Sequence, residues 1–104
     1  MKLENLDEIL ILFDYYKNLL SEKQKSYIEE HFENDYSLSE IAEKYEISRQ
    51  AVSDNINRSI KILKNYEEKL GFFKRDRIIK ENLNKAIKDK NIELVEETIK
   101  LLEA

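Results

Sequence analysis

The chain has 104 residues, a net charge of −4 and a composition that is 41% apolar and 38% charged, enough for one domain with a modest core. Zero proline and a single glycine predict long, uninterrupted helices, and the lack of cysteine excludes disulfides, thiol chemistry and cysteine-ligated metal. The longest apolar run, residues 9–13, is too short to span a bilayer, and the N-terminus lacks a signal-peptide pattern. We therefore expect an all-α, cytoplasmic protein without membrane insertion.

The first 35 residues predict two helices. The first covers about residues 3–20 and has an apolar stripe formed by Leu3, Leu6, Leu10, Phe13 and Tyr16. Ser21 and Gln24 have the spacing of a capping box, so a second helix should begin near Glu22. That helix should carry its apolar residues inward: Tyr27, Ile28 and Phe32.

Residues 38–63 have the pattern of a helix-turn-helix motif. Ser37 and Glu40 form another capping-box pair, which predicts a helix that starts at Leu38. Its apolar face consists of Leu38, Ile41, Ala42 and Tyr45. Glu46 stands at the turn position that glycine usually takes, where a left-handed backbone costs a non-glycine residue about 1 kcal/mol. Two ordinary helices that meet at a short turn are the alternative.

The second helix of the motif should follow a buried Ile47 and an N-capping Ser48. Its apolar line repeats every three or four residues, which predicts one long helix that ends at Gly71. The residues of this line are Val52, Ile56, Ser59, Leu63, Tyr66 and Leu70. We therefore expect a helix-turn-helix domain over residues 1–71.

Residues 72–104 predict a C-terminal helical hairpin. Phe72 and Phe73 should anchor a corner in the core, before a helix over about residues 74–88 with Ile79, Leu83 and Ala86 on one face. Asn91 is a plausible cap for a last helix with a narrow apolar seam, formed by Ile92, Val95, Ile99 and Leu102. The seam suits either packing within the chain against the long helix or a homodimer interface.

The charge distribution points to nucleic acid as a partner. Residues 1–46 carry 5 basic and 12 acidic groups. Residues 47–64 carry 4 basic groups and 1 acidic group, and residues 74–90 carry 7 basic and 3 acidic groups. Local charges of −7, +3 and +4 therefore place positive charge on the second motif helix and on one later segment. Such a small footprint predicts few phosphate contacts unless the protein dimerises.

The candidate nucleic-acid-binding residues lie on the exposed side of that helix. They are Ser48, Arg49, Gln50, Ser53, Asp54, Asn57, Arg58, Lys61 and Lys64. Arg49 has the geometry to pair with guanine, and Gln50 or Asn57 with adenine, in the major groove of a DNA duplex. The later cations suit phosphate contacts. Simple solvation of a polar face is the alternative reading.

A secondary basic surface is formed by Lys74, Arg75, Arg77 and Lys80. It suits contacts with RNA phosphates or, alternatively, a solubilising face. Chemistry beyond binding is not indicated. His31 has no cysteine and no histidine partner for a metal, and no glycine-rich phosphate loop exists, so we expect no metal, no cofactor and no enzymatic activity.

Residues 20–63 resemble the fourth region of bacterial sigma factors through a capped helix that precedes the helix-turn-helix pair. A wider resemblance is carried by FDYYKNLLSEKQ, ISRQAVSDNI and YEEKLGFF, which occur in the order and spacing of the YlxM-like family of small DNA-binding proteins. Genes of this family neighbour those of the signal recognition particle GTPase and its receptor. The resemblance implies a regulatory role in that targeting pathway, through the particle's GTPase or its RNA.

Two other functions fit the same sequence. A sequence-specific transcriptional regulator would need a homodimer with recognition helices about 34 Å apart. A protein-protein adapter that has lost nucleic-acid binding would suit the net charge of −4.

Overall fold

A computed structural model describes the backbone of residues 3–103 and the side chains of residues 6–103. The described residues form six α-helices and no strand, which confirms the all-α expectation. The helices are α1 (Leu3–Tyr16), α2 (Glu22–Ile28), α3 (Leu38–Tyr45), α4 (Arg49–Leu70), α5 (Phe72–Asp89) and α6 (Ile92–Glu103). They fall into two compact units that divide between Lys69 and Leu70. The domain boundary after residue 71 remains a prediction.

The first unit has an apolar core to which all four of its helices contribute. Its buried side chains are Ile9, Leu12, Phe13, Tyr16, Leu20, Tyr27, Ile28, Ile41, Ala42, Val52, Ile56 and Leu63. Burying each of the larger ones contributes roughly 1.5–3 kcal/mol relative to leaving it exposed. This core holds the helix-turn-helix pair against α1 and α2.

The predicted face of α1 was wrong in part. Phe13 and Tyr16 are buried as expected, but Leu6 and Leu10 are only half-buried, and the side chain of Leu3 lies outside the described residues. The buried stripe instead includes Ile9 and Leu12. Both sets have helical spacing, so periodicity alone did not distinguish the centre of the apolar arc from its flank. The helix also ends four residues early, because Lys17–Leu19 winds into a 3-10 turn.

Both predicted capping boxes are present. The Ser21 hydroxyl accepts from the Gln24 N–H at 3.1 Å, and the Gln24 side chain accepts from the Ser21 N–H at 2.9 Å. The Ser37–Glu40 pair makes the same two bonds at 3.0 Å each. The starts of α2 and α3 are therefore set by local hydrogen bonds that the sequence spacing specifies.

A π-helical segment, Glu29–Glu33, extends α2. The Asn34 N–H donates to the carbonyl of Glu29 at 3.0 Å, five residues back, and the Tyr36 N–H donates to the carbonyl of Glu30 at 2.9 Å. This wider turn accommodates an extra residue, which changes the direction of the side chains it carries. The segment was not predicted from sequence.

A polar contact joins the end of α2 to α3. The Lys44 ammonium donates to Glu30, whose carboxylate is almost fully buried and has a second oxygen without a hydrogen-bond partner. The Tyr45 ring meets the Tyr27 ring edge-on, with centroids 4.9 Å apart. Burial raises the pKa of the Tyr45 hydroxyl, and the neighbouring Glu30 carboxylate raises it further. The hydrogen bond to Glu30 also raises the pKa of Lys44.

The long helix α4 runs without a break from Arg49 to Leu70, as predicted. Its later turns are held to α1 by Tyr16, whose hydroxyl donates to Glu67 at 2.6 Å and whose ring stacks on Tyr66 at 6.0 Å. The predicted apolar line is buried from Val52 to Leu63, but Leu70 at its end is 45% exposed. Gly71 ends the helix with a left-handed backbone, φ 65°.

The second unit is a hairpin of α5 and α6. Ala86 and Thr98 are its buried residues, and the Asn91 side chain caps α6 by accepting from the Leu94 N–H at 3.1 Å, as predicted. The prediction that Phe72 anchors a corner in the core was wrong. Phe72 is 39% exposed and is the first residue of α5, which begins two residues earlier than expected.

The turn between α3 and α4 is a Schellman motif. The Glu46 N–H donates to the carbonyl of Glu43 at 3.3 Å, and the Ile47 N–H donates to the carbonyl of Ala42 at 3.0 Å. Glu46 has the left-handed conformation that its turn position requires, with φ 56° and ψ 44°. The prediction that Ile47 is buried was wrong, because its side chain is 38% exposed. In this motif it would pack towards Ala42, which is too small to cover it.

Replacing Glu46 with glycine should raise the free energy of unfolding by about 1 kcal/mol, because glycine adopts the left-handed conformation without steric cost. Urea denaturation measures this as a higher midpoint at an unchanged slope. The matched control is Glu43→Gly inside α3, which should lower the free energy of unfolding by about 1 kcal/mol. An E46G protein no more stable than its parent would contradict the strain assigned to this turn.

Alkaline pH should destabilise the first unit through Tyr45 and Lys44. Both have a pKa that is higher in the folded chain than the ordinary values of 10.0 and 10.5. Their contribution is therefore complete below the unfolded pKa and is lost as the pH rises through the folded pKa, above about pH 10. Tyr45→Phe should make this loss less steep than in the parent protein, as measured by urea denaturation at a series of pH values. Equal slopes for the variant and the parent would count against the burial of the Tyr45 hydroxyl.

Candidate nucleic-acid interface

The first turn of α4 is set by Ser48. Its hydroxyl oxygen accepts from the Ala51 N–H at 3.0 Å, so the residue caps the helix as predicted. Arg49 and Gln50 follow at once and are both exposed. The hydroxyl of Ser48 is therefore committed to the cap as an acceptor, whereas its own proton remains available to a ligand.

Polar side chains form a stripe along α4. At 100° per residue, Gln50, Asp54, Asn57 and Lys61 lie within about 60° of one another, and all four are exposed. The Gln50 side chain donates to the Asp54 carboxylate at 2.9 Å. This bond uses one N–H of Gln50, so its carbonyl oxygen and second N–H are left for a ligand, and these are the two groups that an adenine edge requires. Asp54 thus orients Gln50.

The cations of α4 are exposed on both sides of this stripe. Arg58 lies towards one side, and Lys64 lies towards the other, one turn beyond Lys61. Ser53 is half-buried and borders the Lys64 side. The structure therefore places eight of the nine predicted residues on α4 and the ninth, Ser48, at its cap, with the polar groups near the start and the lysines further along. Their role in binding stays a prediction.

A groove runs beside the polar stripe, and sequence reasoning missed it. We call it the α4 groove. Its volume is about 490 Å³, and it is lined by His31, Phe32, Leu38, Ser53, Ile56, Asn57, Ile60, Lys61 and Lys64. Periodicity placed Phe32 inward, but the π-helical segment leaves it half-buried at the groove. The groove therefore shares Ser53, Asn57, Lys61 and Lys64 with the predicted interface.

His31 occupies the groove wall and is held there by a hydrogen bond. Its Nδ1 lies 2.8 Å from the carbonyl oxygen of Tyr36, and a carbonyl only accepts, so Nδ1 carries a proton. Its ring also meets the Phe32 ring edge-on, with centroids 4.8 Å apart. This hydrogen bond links the π-helical segment to the start of α3. Among residues 3–103, no three His, Asp or Glu side chains are grouped closely enough to hold a metal ion.

The secondary basic surface lies in the second unit, at the start of α5. Lys74, Arg75, Arg77 and Lys80 are all exposed. The guanidinium of Arg75 stands 5.3 Å from the Phe72 ring centroid and that of Arg77 stands 5.5 Å from the Phe73 centroid. Arg75 is also 3.5 Å from the Asp76 carboxylate. Two of the four cations therefore stand over aromatic rings, where a weak attraction favours that placement.

No helix within residues 3–103 is both long and apolar enough to cross a membrane.

Comparison with known proteins assigns the chain to a family. A family model described as "Putative helix-turn-helix protein, YlxM / p13 like" matches residues 3–103. A UPF0122 protein of Fusobacterium nucleatum is 46% identical over 99 residues, which is 95% of this chain and 92% of that protein. The UPF0122 protein YlxM of Bacillus subtilis is 51% identical over 85 residues, which is 82% of this chain and 77% of that protein. Because the model covers nearly the whole chain and both relatives align over most of their length, the chain belongs to the UPF0122 family of YlxM-like helix-turn-helix proteins.

Proposed function

We propose that this protein is a non-enzymatic, cytoplasmic regulatory protein that binds nucleic acid through α4. The observation that carries the proposal is the exposed surface of α4, which combines polar groups suited to base contacts with four cations in a segment of charge +3. The rest of the first unit is acidic, so it favours an anionic ligand at α4 alone. The likeness of residues 20–63 to the fourth sigma-factor region is part of the same proposal, because that region presents a helix in this way.

The signal recognition particle pathway is the proposed setting. The support is the family resemblance, since genes of this family neighbour those of the particle's GTPase and its receptor. The particle's RNA would meet Lys61 and Lys64 through its phosphates, and the cations of α5 would add contacts that depend on shape more than on sequence. The GTPase is the second proposed partner.

Sequence-specific binding to a DNA duplex is the alternative function, and one observation favours it. The Asp54 carboxylate orients Gln50, which a purely electrostatic interface does not need. This function requires a homodimer with recognition helices about 34 Å apart, and it would show as preference for one palindromic sequence. The third function is that of a protein-protein adapter. The exposed Ile47 and the net charge of −4 support it. Binding that is insensitive to salt would identify it.

Replacing Lys61 and Lys64 with alanine should weaken RNA binding and flatten its salt dependence. Each phosphate contact that is lost lowers the slope of log affinity against log salt by roughly 0.7–0.9, so the double variant should lose about 1.5. Fluorescence anisotropy with the particle's RNA and with a random DNA duplex measures both quantities. Lys17→Ala with Lys23→Ala removes the same charge from exposed positions outside α4 and should leave the slope unchanged. Equal slopes for the two double variants would remove α4 as the interface.

Calorimetric titration tests the pathway itself. At low salt, the purified protein should bind the particle's RNA, its GTPase, or the two together, more tightly than a random RNA of equal length. If neither the RNA nor the GTPase gives a heat of binding, the targeting pathway is excluded as the setting. Binding to duplex DNA alone, with preference for one sequence, would favour the transcriptional alternative.

A further inference from the structure

The α4 groove has the length and lining of a site for one face of a helix. Along α4 it extends from Ser53 to Lys64, which is 11 residue steps or roughly 17 Å. Phe32, Leu38, Ile56 and Ile60 make it apolar, and the two lysines stand at the end furthest from the turn. Grooves of this kind take an amphipathic helix whose apolar residues recur at three and four positions. The lysines add a preference for acidic side chains beside them.

The chain itself contains a helix with that chemistry. In α6, Ile92 is 69% exposed and Ile99 is 48% exposed. At 100° per residue, Ile92, Glu96, Ile99 and Glu103 fall within about 60° of one another, and all four are exposed. We call these four residues the α6 stripe. It spans 11 residue steps, again roughly 17 Å, and α6 as a whole carries four glutamates against one lysine.

The α6 stripe is not the face that holds the hairpin together. Thr98 is the buried residue of α6, and its hydroxyl donates to the carbonyl of Leu94 at 2.6 Å. Thr98 lies about 130° around the helix from the middle of the stripe. The hairpin therefore keeps its own buried face while the stripe stays in contact with water, which is unfavourable for two isoleucine side chains.

We infer that the α6 stripe of one copy docks into the α4 groove of a second copy, and that the exchange is reciprocal. Ile92 and Ile99 meet the apolar lining, and Glu96 and Glu103 face the lysines. A two-fold axis forms the contact twice, so two modest grooves add up to one stable interface. Every copy carries both halves of the contact, and their matched length and opposite charge favour a second copy of this chain as the occupant.

Docking also controls the proposed nucleic-acid site. The α6 stripe covers Ser53, Asn57, Lys61 and Lys64, which line the groove and belong to the α4 interface. An acidic helix therefore occupies the same cations that a phosphate backbone needs, and the docked dimer excludes nucleic acid. This regulatory part rests on the proposed function, whereas the docking itself does not.

Disulfide trapping between single-cysteine chains tests the docking. The chain has no cysteine, so Asn57→Cys and Ile99→Cys, both at exposed positions, introduce one thiol each. In an oxidised mixture of the two variants, any bond between positions 57 and 99 joins two copies. It should form several-fold faster than the bond between Asn57→Cys and Glu97→Cys, whose cysteine lies on the far side of α6. Mass spectrometry of peptides identifies both bonds.

Two results would overturn the docking. One is an N57C–I99C bond that forms no faster than the control bond. The other result concerns a chain that carries both cysteines. If this chain forms an internal disulfide as a monomer at high dilution, while the mixture of single variants forms none, the stripe docks within its own chain.

Charge reversal gives an independent test by sedimentation equilibrium. Lys61→Glu with Lys64→Glu should abolish self-association, as should Glu96→Lys with Glu103→Lys. Mixing the two variants should restore a dimer, because each contact then pairs opposite charges again. Lys17→Glu with Lys23→Glu has the same change in net charge and should leave self-association intact. Failure of the mixture to associate would contradict the pairing of the α6 stripe with the lysines.

The trapped dimer separates this inference from the proposed function. It should bind RNA and duplex DNA several-fold more weakly than the same protein after reduction. A trapped dimer whose parent chain, with Asn57 intact, binds no nucleic acid would support docking and overturn the proposed function. Salt-dependent binding by a protein that never forms the N57C–I99C bond would support the proposed function and overturn docking.

Discussion

The left-handed backbone at Glu46 sets the direction of α4 relative to α3, and the exposed polar side of α4 depends on it. The Schellman bonds from Glu46 and Ile47 close the end of α3 within two residues. Ser48 then opens α4 through its hydroxyl. Because the turn is this short, Val52 and Ile56 reach the core in the first two turns of α4, while Gln50 and Asn57 stay in solvent. A longer or straighter connection would not combine that burial with that exposure.

The same turn needs support from the elements on either side of α3. The Glu30–Lys44 contact and the Tyr27–Tyr45 ring pair hold α3 to α2. Glu30 reaches Lys44 from the π-helical segment, and that segment also sets His31 and Phe32 at the groove. The second oxygen of Glu30 is buried without a hydrogen-bond partner, so this contact forms at a cost in desolvation. The π-helical segment thus links the α2–α3 contact to the shape of the groove.

Local signals in the sequence predicted most of the fold. Ser21, Ser37 and Ser48 mark helix starts through hydrogen bonds that span three residues, and Gly71 marks an end, so their spacing is sufficient. Two features could not be predicted from side-chain periodicity. The exposure of Ile47 depends on how closely the folded chain packs around the turn, and the π-helical segment depends on a competition between backbone hydrogen bonds.

The candidate site also has a part that the sequence predicted and a part that it did not. The exposure of Arg49, Gln50 and Asn57 followed from helical periodicity alone, because it is a property of one helix. The α4 groove combines residues from the π-helical segment, α3 and α4, so no single periodic pattern contains it. Likewise, the apolar seam of α6 was visible in the sequence, but only the structure separates Thr98, which the hairpin buries, from Ile92 and Ile99, which it leaves exposed.

Salt acts differently on the two ligands that α4 is proposed to bind. Nucleic acid releases condensed counterions when the lysines neutralise phosphates, so its affinity falls steeply with salt. The α6 stripe offers separate carboxylates, whose attraction is merely screened, and two isoleucine side chains, whose burial does not depend on charge. Higher salt therefore favours the docked dimer over the nucleic-acid complex, although Lys61 and Lys64 serve both. In the inferred dimer, the contact of the isoleucine side chains with the apolar lining would persist at high salt, whereas the attraction between the carboxylates and the lysines would weaken.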